Sequence, residues 1–163
     1  MIERLGAEAA PELQRLFERC SVFWELTEGA PPAPDTAVKE LAFAAPGKTA
    51  GDTFAFGVYE GEELIAFAQL MRDYPKPSEW WLGLLIIDPS QRGRGLGAEL
   101  DRELAEWVAA QGATTLWLGV LTQNEAAHRF WLRMRFAERE RQKYVGSGGR
   151  QSTSILMSRS VGS

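Results

Sequence analysis

The sequence contains only one cysteine, Cys20, and only one histidine, His128. A single cysteine cannot form an intramolecular disulfide, and these two side chains supply too few sulfur and nitrogen ligands for a structural zinc site. The chain also has no apolar run near the ~18 residues that a membrane-spanning helix needs. Residues 1–13 lack the basic and apolar segments of a signal peptide. We therefore expect a cytoplasmic protein with no metal centre, no disulfide and no membrane partner.

Basic residues are in the minority, with 18 Lys and Arg against 22 Asp and Glu and a formal net charge of −4. This balance disfavours binding to a phosphate backbone, so nucleic acid is not an expected partner. Hydrophobic residues make up 45% of the chain and charged residues 25%, which is typical of a globular protein. A length of 163 residues then predicts one domain over residues 1–163.

Hydrophobic periodicity divides the chain into helices and strands. Apolar residues recur every three or four positions in the predicted helices, which are 7–28, 35–45, 96–112 and 124–134. Alternating or continuous apolar residues predict the strands, which are 53–59, 63–71, 80–87, 115–120, 136–145 and 152–158. Strand 80–87 lacks polar alternation, as expected of a central strand that is buried on both faces. This order predicts a mixed α/β sheet covered by helices.

The segment 84–98 joins this central strand to a helix through a glycine-rich turn. Glycine allows positive φ and close approach of a ligand to the backbone. The first N–H groups of the helix are free and lie at the positive end of its dipole. The segment therefore predicts a site for an anion such as a pyrophosphate.

Two phosphate-binding motifs are matched only in part. Gly47, Lys48 and Thr49 copy the end of a P-loop, but Ala42 stands where the first glycine belongs, and a strand follows. The run 93–98 satisfies the dinucleotide pattern G-x-G-x-x-A. However, residues 88–92 separate it from the strand, and strand 115–120 ends without the acidic residue that would bind a ribose. A nucleotide-cofactor oxidoreductase is therefore the less favoured alternative.

A third pattern, R-x-x-G-x-G after a strand that ends in aliphatic-x-aliphatic-x-Pro, matches at Arg92, Gly95 and Gly97. In this pattern the chain resembles the GNAT (Gcn5-related) N-acetyltransferase superfamily. A second family element follows at Asn124-x-x-Ala127-x-x-Phe130-Trp131, with Phe136 beyond it. The resemblance covers nearly the whole chain. It implies a GNAT-like acyl-CoA N-acyltransferase fold, a mostly antiparallel central sheet with one parallel splayed pair, flanked by helices.

The resemblance also implies a site for acetyl-CoA. Backbone amides from Arg92 to Ala98 would hold the pyrophosphate. The backbone of residues 85–87 would pair with the pantetheine arm. The Ile87 N–H would polarise the thioester carbonyl, a role often worth ~3 kcal/mol. The predicted cofactor-binding residues are Leu85, Ile86, Ile87, Gln91, Arg92, Gly93, Arg94, Gly95, Leu96, Gly97, Ala98, Asn124, Ala127, Phe130 and Trp131.

The chain departs from the family pattern at the general acid. Members usually carry a Tyr seven residues after the Asn, but here the position holds Trp131, whose indole has no titratable proton at neutral pH. Other candidates are needed. His128 lies four residues after Asn124 and has the only ordinary pKa near neutrality, and Tyr144 is a second candidate acid. Alternatively, His128 is a surface residue and Tyr144 a packing aromatic.

The attacking amine must lose a proton, usually to a carboxylate. Glu79, Glu25 and Glu28 are the candidates, although each could equally be a solvated surface charge. The predicted catalytic residues are Ile87, Asn124, His128 and Glu79.

The predicted function is an acetyl-CoA-dependent N-acetyltransferase. The acceptor is the primary amine of a small molecule, or a peptide N-terminus or lysine, and it attacks the thioester directly in a ternary complex. Trp131 motivates the alternative, a non-catalytic acyl-CoA-binding module of the same fold. A homodimer through the strands after Phe136 is compatible with the sequence.

Overall fold

The computed structural model describes residues 1–162 and contains one seven-stranded sheet with the order β1-β2-β3-β4-β5-β7-β6. The strands are β1 Glu3–Arg4, β2 Thr53–Glu60, β3 Glu63–Met71, β4 Glu79–Ile87, β5 Thr115–Leu121, β6 Ala137–Val145 and β7 Gln151–Ser160. The helices are α1 Ala10–Arg19, α2 Ser21–Glu28, α3 Thr36–Leu41, α4 Leu96–Ala110 and α5 Glu125–Arg133. None of these helices is long and apolar enough to cross a bilayer.

The pairing of β4 with β5 is parallel, and every other pairing in the sheet is antiparallel. Parallel neighbours need a crossover connection, which α4 provides. The predicted mixed α/β sheet with one parallel pair is thus confirmed.

Each face of the sheet carries its own core. One core lies under α4 and α5 and contains Trp80, Leu82, Leu104 and Trp131, all 7% exposed or less. The other lies under α1, α2 and α3 and includes Phe17 and Phe67. Burying a side chain of this size stabilises the fold by about 2–3 kcal/mol. The helices are therefore held on the sheet by two separate apolar layers.

The predicted helix 7–28 is wrong in its continuity, because it is two helices separated at Cys20. Cys20 has φ −101° and ψ 31°, outside helical geometry. The change of direction brings the ring of Trp24 to 4.8 Å from that of Phe17 between centroids. Packing of the two rings thus offsets the interrupted helical hydrogen bonding.

Two other boundaries differ from prediction. The helix predicted over 35–45 covers only Thr36–Leu41. Pro46 disfavours helical backbone at the residue before it, Ala45, and so accounts for the end of the predicted range but not for residues 42–44. Strand β1 was not predicted, since two residues are too short to show a period.

The expectation that the central strand is buried on both faces is also wrong. In β4, Gly83 is exposed, and Leu84, Leu85 and Ile87 are only half-buried. The reason is that the sheet opens beside this half of the strand.

Candidate active site

A β-bulge at Gly83 divides β4 into two parts. Leu70 of β3 faces Leu82, and Gln69, the residue before it, faces Leu84, so Gly83 has no partner. A Cβ at Gly83 would lie 2.6 Å from the side-chain oxygen of Gln69, closer than real Cβ atoms approach, and the Gln69 side chain is itself held by hydrogen bonds from its nitrogen. Glycine is therefore favoured where β3 and β4 change register.

Beyond the bulge, β4 and β5 separate. Their ladder consists of four residue pairs and ends at Leu82 and Leu118, whereas β5 continues its pairing with β7 as far as Leu121. The Asp88 N–H donates to the Ile65 carbonyl at 2.8 Å. Because antiparallel bonding alternates, the N–H groups of Leu85 and Ile87 point away from β3 and into the opening. The opening thus offers backbone donors without a strand partner.

The loop after β4 presents a helix N-terminus at the end of this opening. Gly93 and Gly95 have φ of +79° and +80°, and no heavy atom lies within 4 Å of where their Cβ atoms would be. Gly95 is the N-cap of α4 and supplies no side-chain cap, so the first N–H groups of the helix remain available. Arg92 and Arg94 are exposed beside them. Free amides, open space and two cations fit a diphosphate group.

Asp88 anchors the start of this loop, a role that was not predicted. The carboxylate is buried, accepts hydrogen bonds from Ser90 N (2.9 Å) and Oγ (2.8 Å), and forms an ion pair with Arg19 of α1. Burial alone would raise the pKa of Asp88, but the hydrogen bonds from Arg19 and Ser90 outweigh it, and the pKa lies below its ordinary value. An Asp directly before a Pro at the start of a helical turn is the local signal that could have revealed this cap.

Helix α5 lines the opposite side of the opening. The Asn124 side-chain oxygen accepts a hydrogen bond from the Ala127 N–H at 3.2 Å and caps the helix. The ring of Phe130 lies against the first turn of α4, 3.1 Å from where a Cβ of Gly97 would be. The two helices can therefore pack together because Gly97 has no side chain, and this contact fixes α5 beside the loop.

The model of the acetyltransferase (GNAT) family matches residues 11–136 of the chain. The chain belongs to this family. The matched residues include β4 and β5, which border the opening, the loop after β4, and α5. The match agrees with an acyl-CoA enzyme rather than with a nucleotide-cofactor oxidoreductase. The predicted class of enzyme, an N-acetyltransferase, is thus confirmed at the level of the family.

Solved GNAT structures share the fold over almost their full length. The ribosomal-protein-S18-alanine N-acetyltransferase from Escherichia coli has 21% identity and a TM-score of 0.75, with 100% of this chain and 94% of that chain covered. An acetyltransferase from Thermus thermophilus has 23% identity and a TM-score of 0.73, with coverages of 99% and 97%. A search of curated proteins gave no significant match.

Two of the predicted catalytic residues of this GNAT chain lie away from the opening. Glu79 begins β4 and accepts a hydrogen bond from Trp117 Nε1 at 3.1 Å. Ile87 ends the same strand, so the two are roughly 26 Å apart at 3.3 Å per residue. The Nε2 atom of His128 lies 3.9 Å from the carboxylate of Glu138 on β6. The structure therefore does not bring Glu79 to Ile87. It also directs the side chain of His128 toward β6, an orientation that sequence spacing alone does not reveal.

Trp131, at the position where GNAT members usually have Tyr, packs in the core. It is 7% exposed and lies between Phe130 and Phe136, with ring centroids 4.8 and 5.2 Å away. Phe130 is half-buried and remains available to a ligand, whereas the indole of Trp131 serves mainly packing.

A group of polar side chains that was only partly predicted lies on the α3 side of the bulge. Gln69 Nε2 donates to the carboxylate of Glu40 at 2.8 Å and to the Glu40 carbonyl at 3.0 Å. The phenol of Tyr144 donates to the carboxylate of Glu28. Glu28 and Tyr144 were among the candidates from sequence, but Glu40 and Gln69 were not. These four residues are called the acidic group below.

Glu40 is the most perturbed carboxyl of this group. Burial raises its pKa, the negative charge of Glu28 raises it further, and the pKa reaches about 7. Sequence reasoning missed Glu40 because it lies on a surface-like helix, between the exposed residue Lys39 and the half-buried Leu41. Only the packing of α3 over the bulge gives it this environment.

Proposed function

We propose that this GNAT protein transfers the acetyl group of acetyl-CoA to the primary amine of a small molecule. The observation that carries the proposal is the opening between β4 and β5, where unpaired strand amides lead directly to the exposed N-terminus of α4. A long ligand with a peptide-like arm and a diphosphate matches this arrangement. The use of acetyl-CoA is general in the family, and the fit of these residues supports it for this chain.

Each part of the ligand has a matching set of residues. Backbone amides of Arg92 to Ala98 bind the pyrophosphate, with the Arg92 and Arg94 guanidiniums and Gln91 beside it. The backbone of Leu85 to Ile87 hydrogen-bonds the pantetheine arm as a neighbouring strand would. Asn124, Ala127 and Phe130 bound the arm from α5.

The chemical step uses a backbone donor. Acetyl-CoA supplies the acetyl group as a thioester. The N–H of Ile87 donates to the thioester carbonyl oxygen as negative charge develops there, which is worth about 3 kcal/mol at such sites. The Leu85 N–H has the same orientation and is the alternative donor.

Direct attack by the amine is favoured over a covalent enzyme intermediate. The only thiol, that of Cys20, is buried, and its burial raises its pKa to about 11. It donates to the Ile87 carbonyl at 3.6 Å. A thiol held in this way is a poor nucleophile at neutral pH.

The acceptor is expected to be cationic and small. The acidic group lies beside the bulge, and the chain has a net charge of −4, so a positively charged amine is attracted to this side. Cytoplasmic location and a homodimer through β6 and β7 stay predictions.

The test is calorimetric titration with acetyl-CoA, using CoA and NADH as comparators. We expect micromolar affinity for acetyl-CoA and none for NADH. In Gly95→Asp, affinity should fall at least tenfold because bulk and negative charge are added where the pyrophosphate binds. Gly112→Asp is the matched control, since Gly112 follows the other end of α4, has φ +95° and also has open space around it.

Equal acetyl-CoA affinity in the two aspartate variants would show that the loop is not the pyrophosphate site. Failure of the unaltered protein to bind either acetyl-CoA or CoA would overturn the proposed function as a whole.

A further inference from the structure

We propose that Glu40 takes the proton that an alkylammonium acceptor must lose before it attacks the thioester. The inference rests on the proposed function and adds to it a catalytic base and a class of acceptor.

The position of Glu40 is set by the bulge in β4. Gln69 lies with its side-chain oxygen over Gly83 and its nitrogen on the Glu40 carboxylate, 2.8 Å from Oε2. The carboxylate is thus one side chain away from Gly83, where β4 and β5 separate. Leu85 lies two residues farther along β4, roughly 7 Å at 3.3 Å per residue, and Ile87 four residues farther. The step proposed here therefore uses the Leu85 N–H as the donor to the thioester. Because Gly83 has no side chain, β4 presents only its backbone to Gln69 at this point, and Gly83 itself is exposed.

The Glu40 carboxylate has an oxygen that is free to accept a proton, whereas the Glu28 carboxylate does not. Both oxygens of Glu28 are engaged, Oε2 by the Tyr144 phenol and Oε1 by the Ser147 N–H at 3.4 Å. Of the Glu40 carboxylate, only Oε2 has a hydrogen-bond partner within residues 1–162. The Glu40 residue is half-buried, so the second oxygen is not sealed in the core.

No compensating cation faces Glu40 from the part of the chain that the structure describes. From the neighbouring elements, Glu28 of α2 and the Tyr144 phenol of β6 face it, together with the neutral Gln69 of β3. Its pKa of about 7 reflects burial and then Glu28. A carboxylate with such a pKa accepts a proton effectively near neutral pH. Two adjacent carboxylates also attract a cation.

The reaction moves two protons and exchanges a C–S bond for a C–N bond. One proton of the ammonium moves to Glu40, and the nitrogen lone pair then forms the C–N bond with the thioester carbonyl carbon. The C–S bond breaks, its electron pair leaves on sulfur, and the second proton lost by nitrogen ends on that sulfur. Glu40 then releases its proton to water. The products are the N-acetyl amide, CoA thiol and one proton.

The experiment measures thiol release with acetyl-CoA and 1,4-diaminobutane as the acceptor, between pH 5.5 and 9. The variants are Glu40→Gln, Glu40→Asp and, as a control, Glu62→Gln, which changes an exposed carboxylate in the turn between β2 and β3. We expect kcat/KM for the amine to fall at least 100-fold in Glu40→Gln, as is usual for loss of a general base. The affinity for acetyl-CoA should stay within twofold.

The pH profile separates a base from a structural role. In the unaltered protein kcat/KM should fall below about pH 7, as Glu40 becomes protonated. Glu40→Gln should lose this limb, Glu40→Asp should keep it at a reduced rate, and Glu62→Gln should match the unaltered protein. Loss of the limb in Glu40→Gln and its return in Glu40→Asp cannot come from altered packing alone.

The proposal is overturned if Glu40→Gln keeps both rate and pH limb, or if the unaltered protein binds acetyl-CoA but does not acetylate the diamine. Failure of the unaltered protein to bind acetyl-CoA at all would instead overturn the proposed function. The two failures are therefore distinguishable in one set of titrations.

Discussion

The phenol of Tyr144 donates a hydrogen bond to the carboxylate of Glu28, a residue 116 positions earlier in the chain. The bond joins β6 to the end of α2, and the Glu28 carbonyl accepts a second bond from Gly148 N at 2.9 Å. Burial raises the pKa of Tyr144, and its hydrogen bond to Glu28 raises it further. This contact fixes Glu28 next to Glu40.

Tyr144→Phe should lower the free energy of unfolding by about 2 kcal/mol, because it removes one hydrogen bond to a charged acceptor. Urea denaturation at pH 7 measures the change. Tyr74→Phe is the control, since the Tyr74 hydroxyl makes no hydrogen bond within residues 1–162 while its ring, like that of Tyr144, is half-buried. Equal losses in the two variants would contradict a stabilising role for the Tyr144 hydroxyl.

Glu40 should make stability fall as pH rises. Its folded pKa, about 7, lies above the ordinary value of 4.5, so the folded state binds the proton more tightly than the unfolded state. The stabilisation is complete below pH 4.5 and is lost as pH rises through 7. At 1.36 kcal/mol per pKa unit, the loss is at most about 3 kcal/mol.

Glu40→Gln should therefore gain stability relative to the unaltered protein between pH 4.5 and pH 8, as measured by urea denaturation at both values. The control Glu62→Gln should show no such gain. A constant difference between Glu40→Gln and the unaltered protein at the two pH values would disprove the raised pKa.

Asp101 and Arg159 form a buried ion pair between α4 and β7. The N–O distance is 2.7 Å, and the side chains are 6% and 17% exposed. Asp101→Ala leaves Arg159 without this partner, and we expect a loss of about 3 kcal/mol in urea denaturation. Glu106→Ala, also on α4, breaks an exposed pair with Arg102 and should cost under about 0.5 kcal/mol. Similar losses in both would show that burial does not distinguish the pairs.

Trp131→Tyr decides between the enzyme and a non-catalytic acyl-CoA-binding protein. Because the indole packs between Phe130 and Phe136, we expect the smaller ring to lower stability without raising turnover more than about threefold. The assay is thiol release at saturating acetyl-CoA. A gain of two orders of magnitude would instead mean that the native chain lacks its acid and favours the binding protein.

The glycine-rich loop after β4 could be predicted from sequence because its signals are local. The strand, the glycines at 93, 95 and 97 and the helix follow one another directly, and the structure places them in that order. The capping role of Asn124 is similarly local, since its partner Ala127 is three residues away.

The contacts within the acidic group could not be predicted, because its members are distant in sequence. Glu40 meets Gln69 across 29 positions, and it does so only because α3 packs over β3. For Glu79, the predicted strand 80–87 already implies eight residues of extended chain between it and Ile87, whereas its hydrogen bond from Trp117 depends on the pairing of β4 with β5. The interruption between α1 and α2 at Cys20 likewise depends on the packing of Trp24 against Phe17.

Because Gly83 of β4 has no partner in β3, the alternation of side chains between the two faces of the sheet shifts by one residue there. Trp80 and Leu82 face the α4 side, yet Leu84 and Ile86 contribute to the opposite core. If Gly83 instead paired with Gln69 in a regular ladder, every residue from 84 to 87 would exchange faces. The glycine thus acts as a spacer that stays outside the ladder, and a change that drew it into the ladder would direct four side chains into the wrong cores.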